Sequence, residues 1–385
     1  MKFNKWTVGL ATVGVVSLAS AARADEAKMS QVQTALSNTT LSGYVDVAAQ
    51  FNPNGSSGGT PNYYFGSNPN SINLNAVDIT LDKPLDESPW ASGYHVEVLM
   101  GPQGTAMGLA NNIRQAYIAL RTPVGNGIDW KIGVFDTIVG YESTTSANNP
   151  NFSKSYGYNM EPTTHTGILA AYKATDWLSA QFGVADTSYA GGGTYTAATV
   201  GGTGLYRPTF MWGPTLTAPE SFGWAKGATL SGGTIISGGN TGGTSGPNGA
   251  GASTYFVGLT LPTPITALKF GAAFDYLNAR DVSGNEWNIA IYGTYAFNEK
   301  LSLNLRAENF KGSNLNTAGA LLSGVPDNTA QEITATVQYS LWANVLTRLE
   351  FRWDHSDHTS AGYVSNVGTY QQDAFMLAAQ AIYTF

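Results

Sequence analysis

The dominant pattern along the chain is an alternation of apolar and polar positions. At the C-terminus Leu377, Ala379, Ala381, Tyr383 and Phe385 share one face, and Ala378, Gln380 and Thr384 share the other, with Ile382 an apolar exception. Ile333, Ala335, Val337, Tyr339 and Leu341 alternate with Glu332, Thr334, Thr336, Gln338 and Ser340 in the same way. Near the start, Leu41, Val45, Val47, Ala49 and Phe51 alternate with Ser42, Tyr44, Asp46 and Gln50. A period of two marks a strand with one apolar and one polar face.

Extending this pattern predicts 16 strands. The first eight are Leu41–Asn52, Ser71–Lys83, Ala91–Gly101, Asn112–Thr122, Asp129–Thr137, Thr163–Lys173, Trp177–Thr187 and Tyr206–Thr217. The second eight are Ala225–Ser237, Ala252–Pro262, Thr266–Asn278, Glu286–Phe297, Lys300–Phe310, Ala330–Leu341, Val345–Asp354 and Asp373–Phe385. Connections alternate between short ones, such as Ala174–Asp176 and Asn298–Glu299, and mostly longer ones, of which Ile138–Pro162 is the longest. Sorting short turns to one end and long loops to the other is the mark of a transmembrane antiparallel β-barrel, with periplasmic turns and extracellular loops. A soluble sandwich has no reason to sort its loops.

Tryptophan supports this all-β reading. Trp90, Trp130, Trp177, Trp224 and Trp342 sit at or beside short turns, and Trp287 and Trp353 lie near long loops. Aromatic residues at both ends of an apolar band are what two membrane interfaces select.

The N-terminus follows a different rule. Lys2 and Lys5 precede an apolar stretch from Trp6 to Leu18, and Ala22-Arg23-Ala24 supplies small residues at a cleavage site. Residues 1–24 therefore predict a signal peptide, too short and wrongly flanked for a stable span. Residues 25–40 form a polar periplasmic lead-in, disordered or briefly helical around Met29–Leu36, and residues 41–385 form the barrel. No composition break marks a second domain.

Composition narrows the class further. Only 12% of residues are charged, against a usual ~25%, while glycine reaches 45 residues and aromatics 12%. That balance suits a wall that is apolar outside and polar inside. No other segment offers about 18 consecutive apolar residues, so helical spans are excluded. Cysteine is absent, so no disulfide contributes. The net charge of −7 becomes more negative once Lys2, Lys5 and Arg23 are removed, which argues against nucleic acid as a partner.

If the apolar rows face lipid, alternation turns Asp46, His95, Glu97, Lys131, Lys269, Asp275, Arg306, Glu308, Arg348, Glu350 and Arg352 inward, together with Tyr44, Asn288, Tyr292 and Gln338. These are the candidate pore-lining residues. An Arg or Lys on the lipid face near the midplane would cost ~2–4 kcal/mol. Arg348, Glu350 and Arg352 alternate in sign along one row, with Arg306 and Glu308 two strands away. Two readings stand: a constriction whose charges filter solutes, or mutual salt bridges that merely keep the wall polar. The loop Ile138–Pro162 is the candidate to fold inward.

The run Asp354-His355-Ser356-Asp357-His358 is the one dense group of candidate metal ligands. It could bind a divalent ion or activate water, but a run of polar residues in an external loop is usually just solvated. We expect neither metal nor cofactor, and no catalytic residue. The glycine runs 191–193 and 242–243 lack the context and the lysine of a phosphate loop, and read as surface loops.

The stretch Arg114-Gln115-Ala116-Tyr117-Ile118-Ala119-Leu120-Arg121-Thr122-Pro123, followed by Gly127-Ile128-Asp129-Trp130-Lys131-Ile132-Gly133-Val134-Phe135-Asp136-Thr137 and Gly140-Tyr141-Glu142, resembles the OmpL-like β-barrel porins. So do Asn151-Phe152-Ser153-Lys154-Ser155-Tyr156, Glu161-Pro162-Thr163-Thr164-His165-Thr166-Gly167 and Leu216-Thr217-Ala218-Pro219-Glu220. The resemblance covers most of the chain after residue 24. It implies an outer-membrane barrel, passive passage of small hydrophilic solutes, and a possible homotrimer. The terminal Phe385 resembles the signal read by barrel-insertion machinery, which would receive the last strand by edge addition. Two other functions compete with this expectation: a surface-binding or adhesin barrel with a closed lumen, and a barrel enzyme built around His355 or His358.

Overall fold

A computed structural model describes residues 38–53, 70–107, 109, 112–185, 208–237, 252–279, 284–312, 328–357, 363–364 and 370–385. The expected signal segment, nearly all of the lead-in, both glycine-rich loops and His358 lie outside these residues.

Alternating residues put a polar and an apolar face on each strand, and such strands are satisfied when the sheet closes on itself. The first nine are β1 (Thr40–Phe51), β2 (Ser71–Lys83), β3 (Ser92–Met100), β4 (Ile113–Thr122), β5 (Ile128–Asp136), β6 (Thr164–Lys173), β7 (Leu178–Ala185), β8 (Thr209–Thr217) and β9 (Thr229–Ile236). Then come β10 (Ala252–Pro262), β11 (Leu268–Ala279), β12 (Gly284–Ala296), β13 (Leu301–Gly312), β14 (Asn328–Trp342) and β15 (Val345–Ser356). A two-stranded ribbon, β16 (Tyr363–Val364) with β17 (Tyr370–Gln371), precedes β18 (Asp373–Thr384). The ribbon aside, 16 strands form one closed antiparallel barrel, each paired with its neighbours in sequence.

Closure runs through β1 and β18, from Tyr44 opposite Thr384 to Phe51 opposite Leu377. Phe385 continues it: its N–H donates to the Gly43 carbonyl at 3.0 Å, and the Gly43 N–H donates back at 3.1 Å. The last residue thus extends the seam.

The register sorts side chains as the alternation predicts. Leu349 is 64% exposed on the outer face, whereas its neighbour Glu350 is 3% exposed on the inner face. The outer rows of β14, β15 and β18 carry exposed Ile333, Val337, Phe351, Leu377 and Tyr383. Ile382, the exception in the alternation, faces inward and packs with Tyr44 and Leu346. No described helix is long and apolar enough to cross a membrane.

Several expected boundaries shift by one to three residues, and one moves further. β9 begins at Thr229 rather than at Ala225, because the chain after β8 first makes a 3-10 turn over Glu220–Ala225. The Ala218 N–H then donates to the Ala228 carbonyl at 2.8 Å and the Gly227 N–H to the Ala218 carbonyl at 2.9 Å, closing that turn.

The register yields a first prediction. Leu349→Arg, with its charge aimed outward from the middle of β15, should destabilise the barrel in a bilayer by roughly 2–4 kcal/mol. Ser179→Arg, on the inner face of β7, should cost far less. Denaturant unfolding in lipid vesicles, followed by tryptophan fluorescence, measures both.

Candidate functional site: the inward loop and its latch

The segment 137–163, between β5 and β6, folds into the barrel. Its neck is closed by the Thr137 N–H donating to the Thr163 carbonyl at 3.0 Å, and every residue from 149 to 165 is buried. Buried backbone needs hydrogen-bond partners, and here the inner wall supplies them.

The first leg is held by apolar contact. Ile138, Val139 and Tyr141 pack among Phe135, Leu169, Met211, Ile235, Phe256 and Tyr292. Tyr141 stacks on Tyr292 with centroids 4.4 Å apart. Its hydroxyl lies directly over Gly271, where an added Cβ would sit only 1.8 Å from it. A glycine at that point of β11 is what lets the tyrosine lie against the wall.

The rest of the loop is held by charge. The Glu142 carboxylate accepts from Arg306 at 2.7 Å, and from the Ser155 N–H at 3.0 Å. Arg306 also donates to the Ser153 carbonyl at 2.8 Å, while pairing with Glu332 at 3.1 Å and Glu308 at 3.3 Å. The Phe152 and Ser153 N–H groups donate to Glu350 at 2.6 and 2.9 Å. Arg352 donates to the Lys154 carbonyl at 2.6 Å and to Asp354 at 2.7 Å. Arg348 reaches the Ser146 carbonyl at 3.1 Å and binds the Asn149 carbonyl closely.

A one-turn helix, α1 (Pro102–Ala106), brings Gln103 to the Thr144 carbonyl at 3.0 Å. A second, α2 (Tyr156–Met160), is capped by Ser155, whose hydroxyl accepts from the Tyr158 N–H at 2.9 Å. The Tyr156 N–H donates to Glu308 at 2.9 Å, and the Tyr156 hydroxyl donates to Asp354 at 2.6 Å. Burial pulls the Lys154 ammonium down to about 8, against the opposing pull of Glu142. Its Nζ donates to the Ser143 carbonyl at 2.6 Å.

All eleven predicted inward residues lie on the inner face, but they fall into separate groups. Arg306, Glu308, Arg348, Glu350 and Arg352 form the latch, a role that neither sequence reading contained. Asp46 ties the closing seam, accepting from Asn75 at 3.0 Å and Gln380 at 2.9 Å. On β3–β5, His95 bridges Asp82 and Glu97 at 2.9 and 3.5 Å and stacks on Tyr117. Glu97 pairs closely with Arg114, which reaches Asp136 at 2.6 Å. Lys131 lies over the Tyr117 ring at 4.7 Å. Neither it nor Lys269 forms an ion pair among the described residues. Asp275 sits opposite Asn288.

Sequence reasoning missed Glu142, Glu161, Arg114 and Asp136 as partners. Two of these are on the loop, where no periodicity assigns a face. The other two were visible only as strand-end charges.

Of the Asp354–His358 run, the described residues Asp354 to Asp357 divide between the two faces of the sheet. Asp354 points inward to Arg352, whereas His355 points outward and pairs with Asp373 at 2.8 Å. Ser356 faces inward, away from His355, so these two do not join in a triad. Among the described residues, no three His, Cys, Asp or Glu side chains gather to hold a metal. Of the candidate aromatics, Trp90, Trp177, Trp224 and Trp342 are exposed at short turns. Trp130 faces outward, half-buried, and donates to the Thr122 hydroxyl at 3.0 Å.

The comparisons agree with this geometry. The family model described as "Putative beta-barrel porin-2, OmpL-like" matches residues 38–385. The chain belongs to this family of outer-membrane porins. No curated protein matches it significantly. Among solved structures, the anion-selective porin from Comamonas acidovorans aligns with a TM-score of 0.61 at 12% identity, covering 90% of this chain and 99% of its own. OmpF of Salmonella typhi, in complex with daunomycin, aligns with a TM-score of 0.61 at 16% identity, covering 92% and 100% of the two chains. OmpT of Vibrio cholerae, in a trimer form, gives 0.56 at 14% identity, covering 90% and 99%. At these identities the likeness is one of fold.

Because the porin's latch is buried, removing one partner strands the others. Arg306→Ala should destabilise the barrel by about 3–5 kcal/mol, since Glu142, Glu308 and Glu332 lose their shared cation. Limited proteolysis should then cut the 137–163 segment, which is protected in the parent. Both follow from unfolding curves and cleavage mapping on the same preparation.

Proposed function

We propose that this porin is a passive diffusion pore for small hydrophilic solutes, with the inward loop setting its aperture. The supporting observation is that 137–163 is latched to the inner wall of β9–β15 by side chains of the barrel itself. On this reading the predicted inward residues outside the latch, His95, Lys131 and Lys269 with Tyr117 and Asp136, line the path that solutes take. The reading includes no catalytic step and no cofactor.

The remaining roles follow from it. Trp90, Trp130, Trp177, Trp224, Trp342 and Phe385 sit in the periplasmic interface with lipid, and Phe385 presents the last strand to the insertion machinery. Residues 1–24 direct export, so the purified protein should begin near Asp25, which N-terminal mass spectrometry reads directly. The mature barrel assembles as a homotrimer, in keeping with the trimer form recorded for the similar OmpT of V. cholerae.

A second reading, a surface-binding barrel with a closed lumen, draws on the depth of the loop's burial. The two separate in one experiment. Replacing residues 142–161 by a short glycine linker should raise single-channel conductance in planar bilayers, while the parent already permits liposome swelling by sugars and amino acids. A parent that neither conducts nor swells liposomes would favour the closed barrel.

A further inference from the structure

The cations at the seam between loop and wall are all engaged. Arg306 serves Glu142, Glu308 and Glu332; Arg352 serves Asp354 and Glu332. Arg348 and Lys154 turn to backbone carbonyls. None of these reaches two further acids at the loop's C-terminal end. Glu161 of the loop is 5% exposed and Asp275 of β11 is 2% exposed. Their carboxyl groups touch each other, and neither forms an ion pair with a cation among the described residues.

A third side chain completes the picture. Asn288, fully buried, is the direct cross-strand partner of Asp275 on the inner face. Its amide nitrogen donates to Glu308 at 2.9 Å, while its carbonyl oxygen has no partner. Asp275 Oδ1 also lacks one. The backbone of α2 presses on both: a Cβ added at Gly157 would lie 2.3 Å from Asp275 Oδ2 and 3.1 Å from Asn288 Nδ2.

Two buried carboxylates in contact cannot both be ionised without a counter-charge. A buried cation removes the repulsion and satisfies the orphan oxygens together. The donors are all oxygen, two carboxylates and an amide carbonyl, which is the ligand chemistry of a hard ion such as calcium rather than zinc.

We propose that Glu161, Asp275 and the Asn288 carbonyl oxygen form a calcium site that clamps the end of the inward loop to β11 and β12. Bound water supplies the remaining ligands, as such ions commonly require. The site stands whether or not the pore conducts.

The test uses the full barrel, purified in detergent and stripped with EGTA. Radioactive calcium at neutral pH should bind at about one ion per chain, in the ~0.1–1 mM range of extracellular calcium modules, and raise Tm by a few degrees. Asp275→Asn and Glu161→Gln should abolish both responses. Without calcium, each should melt at or above the parent temperature, because the carboxyl repulsion is gone. Glu220→Gln, at an exposed turn, should keep both responses. Absent binding, or equal binding in the Asp275 and Glu161 variants, overturns the site. So does a melting temperature that follows pH through the neutral range and ignores calcium, which would identify a proton shared by the two acids. A barrel that conducts in bilayers yet binds no calcium overturns the clamp alone and leaves transport standing.

Discussion

A polypeptide in hydrocarbon must pair every backbone N–H and C=O with itself, because no water is there to do so. For a chain without a long apolar helix, the sheet must close. The seam between β1 and β18, extended by the Gly43–Phe385 backbone pair, therefore supports everything else in the molecule. Once it is made, alternation alone decides which side chains meet the outside and which meet the interior. The outer rows carry the aliphatic and aromatic residues, and the interior collects charges such as Arg306, Glu308, Arg348, Glu350 and Arg352.

Gathering charge inside a narrow barrel creates a second requirement. Buried ions need partners, and breaking a pair costs more than the pair contributes. The inward loop answers this by bringing its own backbone and Glu142 to the wall. Its N–H groups take the carboxylates of Glu350 and Glu308, and its carbonyls take the guanidinium groups of Arg306, Arg348 and Arg352. Wall and loop thus satisfy each other. The wall on β3–β5 keeps its own network of His95, Glu97, Arg114 and Asp136.

The barrel was legible because a two-residue period is a property of each strand alone. Strand number, closure and the inward set could be read from rows such as Leu377–Phe385 without knowing any neighbour. β9 was misplaced at its start because Phe222, Trp224 and Ala225 are apolar in a turn, and a short apolar run carries no period. The latch was less legible. That Arg306 and Glu350 face inward follows from alternation, but their partners lie some 150–200 positions away, on a loop whose residues obey no repeat. Asp354 and His355 show the converse: neighbours in sequence, they are driven to opposite faces by the same alternation that makes the strand.

The separation between the loop and its latch also bears on how the molecule is built. Ser153 and Phe152 belong to the first half of the chain, whereas Glu350 and Arg352 arrive with nearly the last strand. These contacts have to wait until most of the chain is in place, and long-range contacts of this kind are slow to form. Until then the loop's backbone and the acids that await it are open to solvent. The latch is thus a late contact, as is the still longer-range seam between β1 and β18.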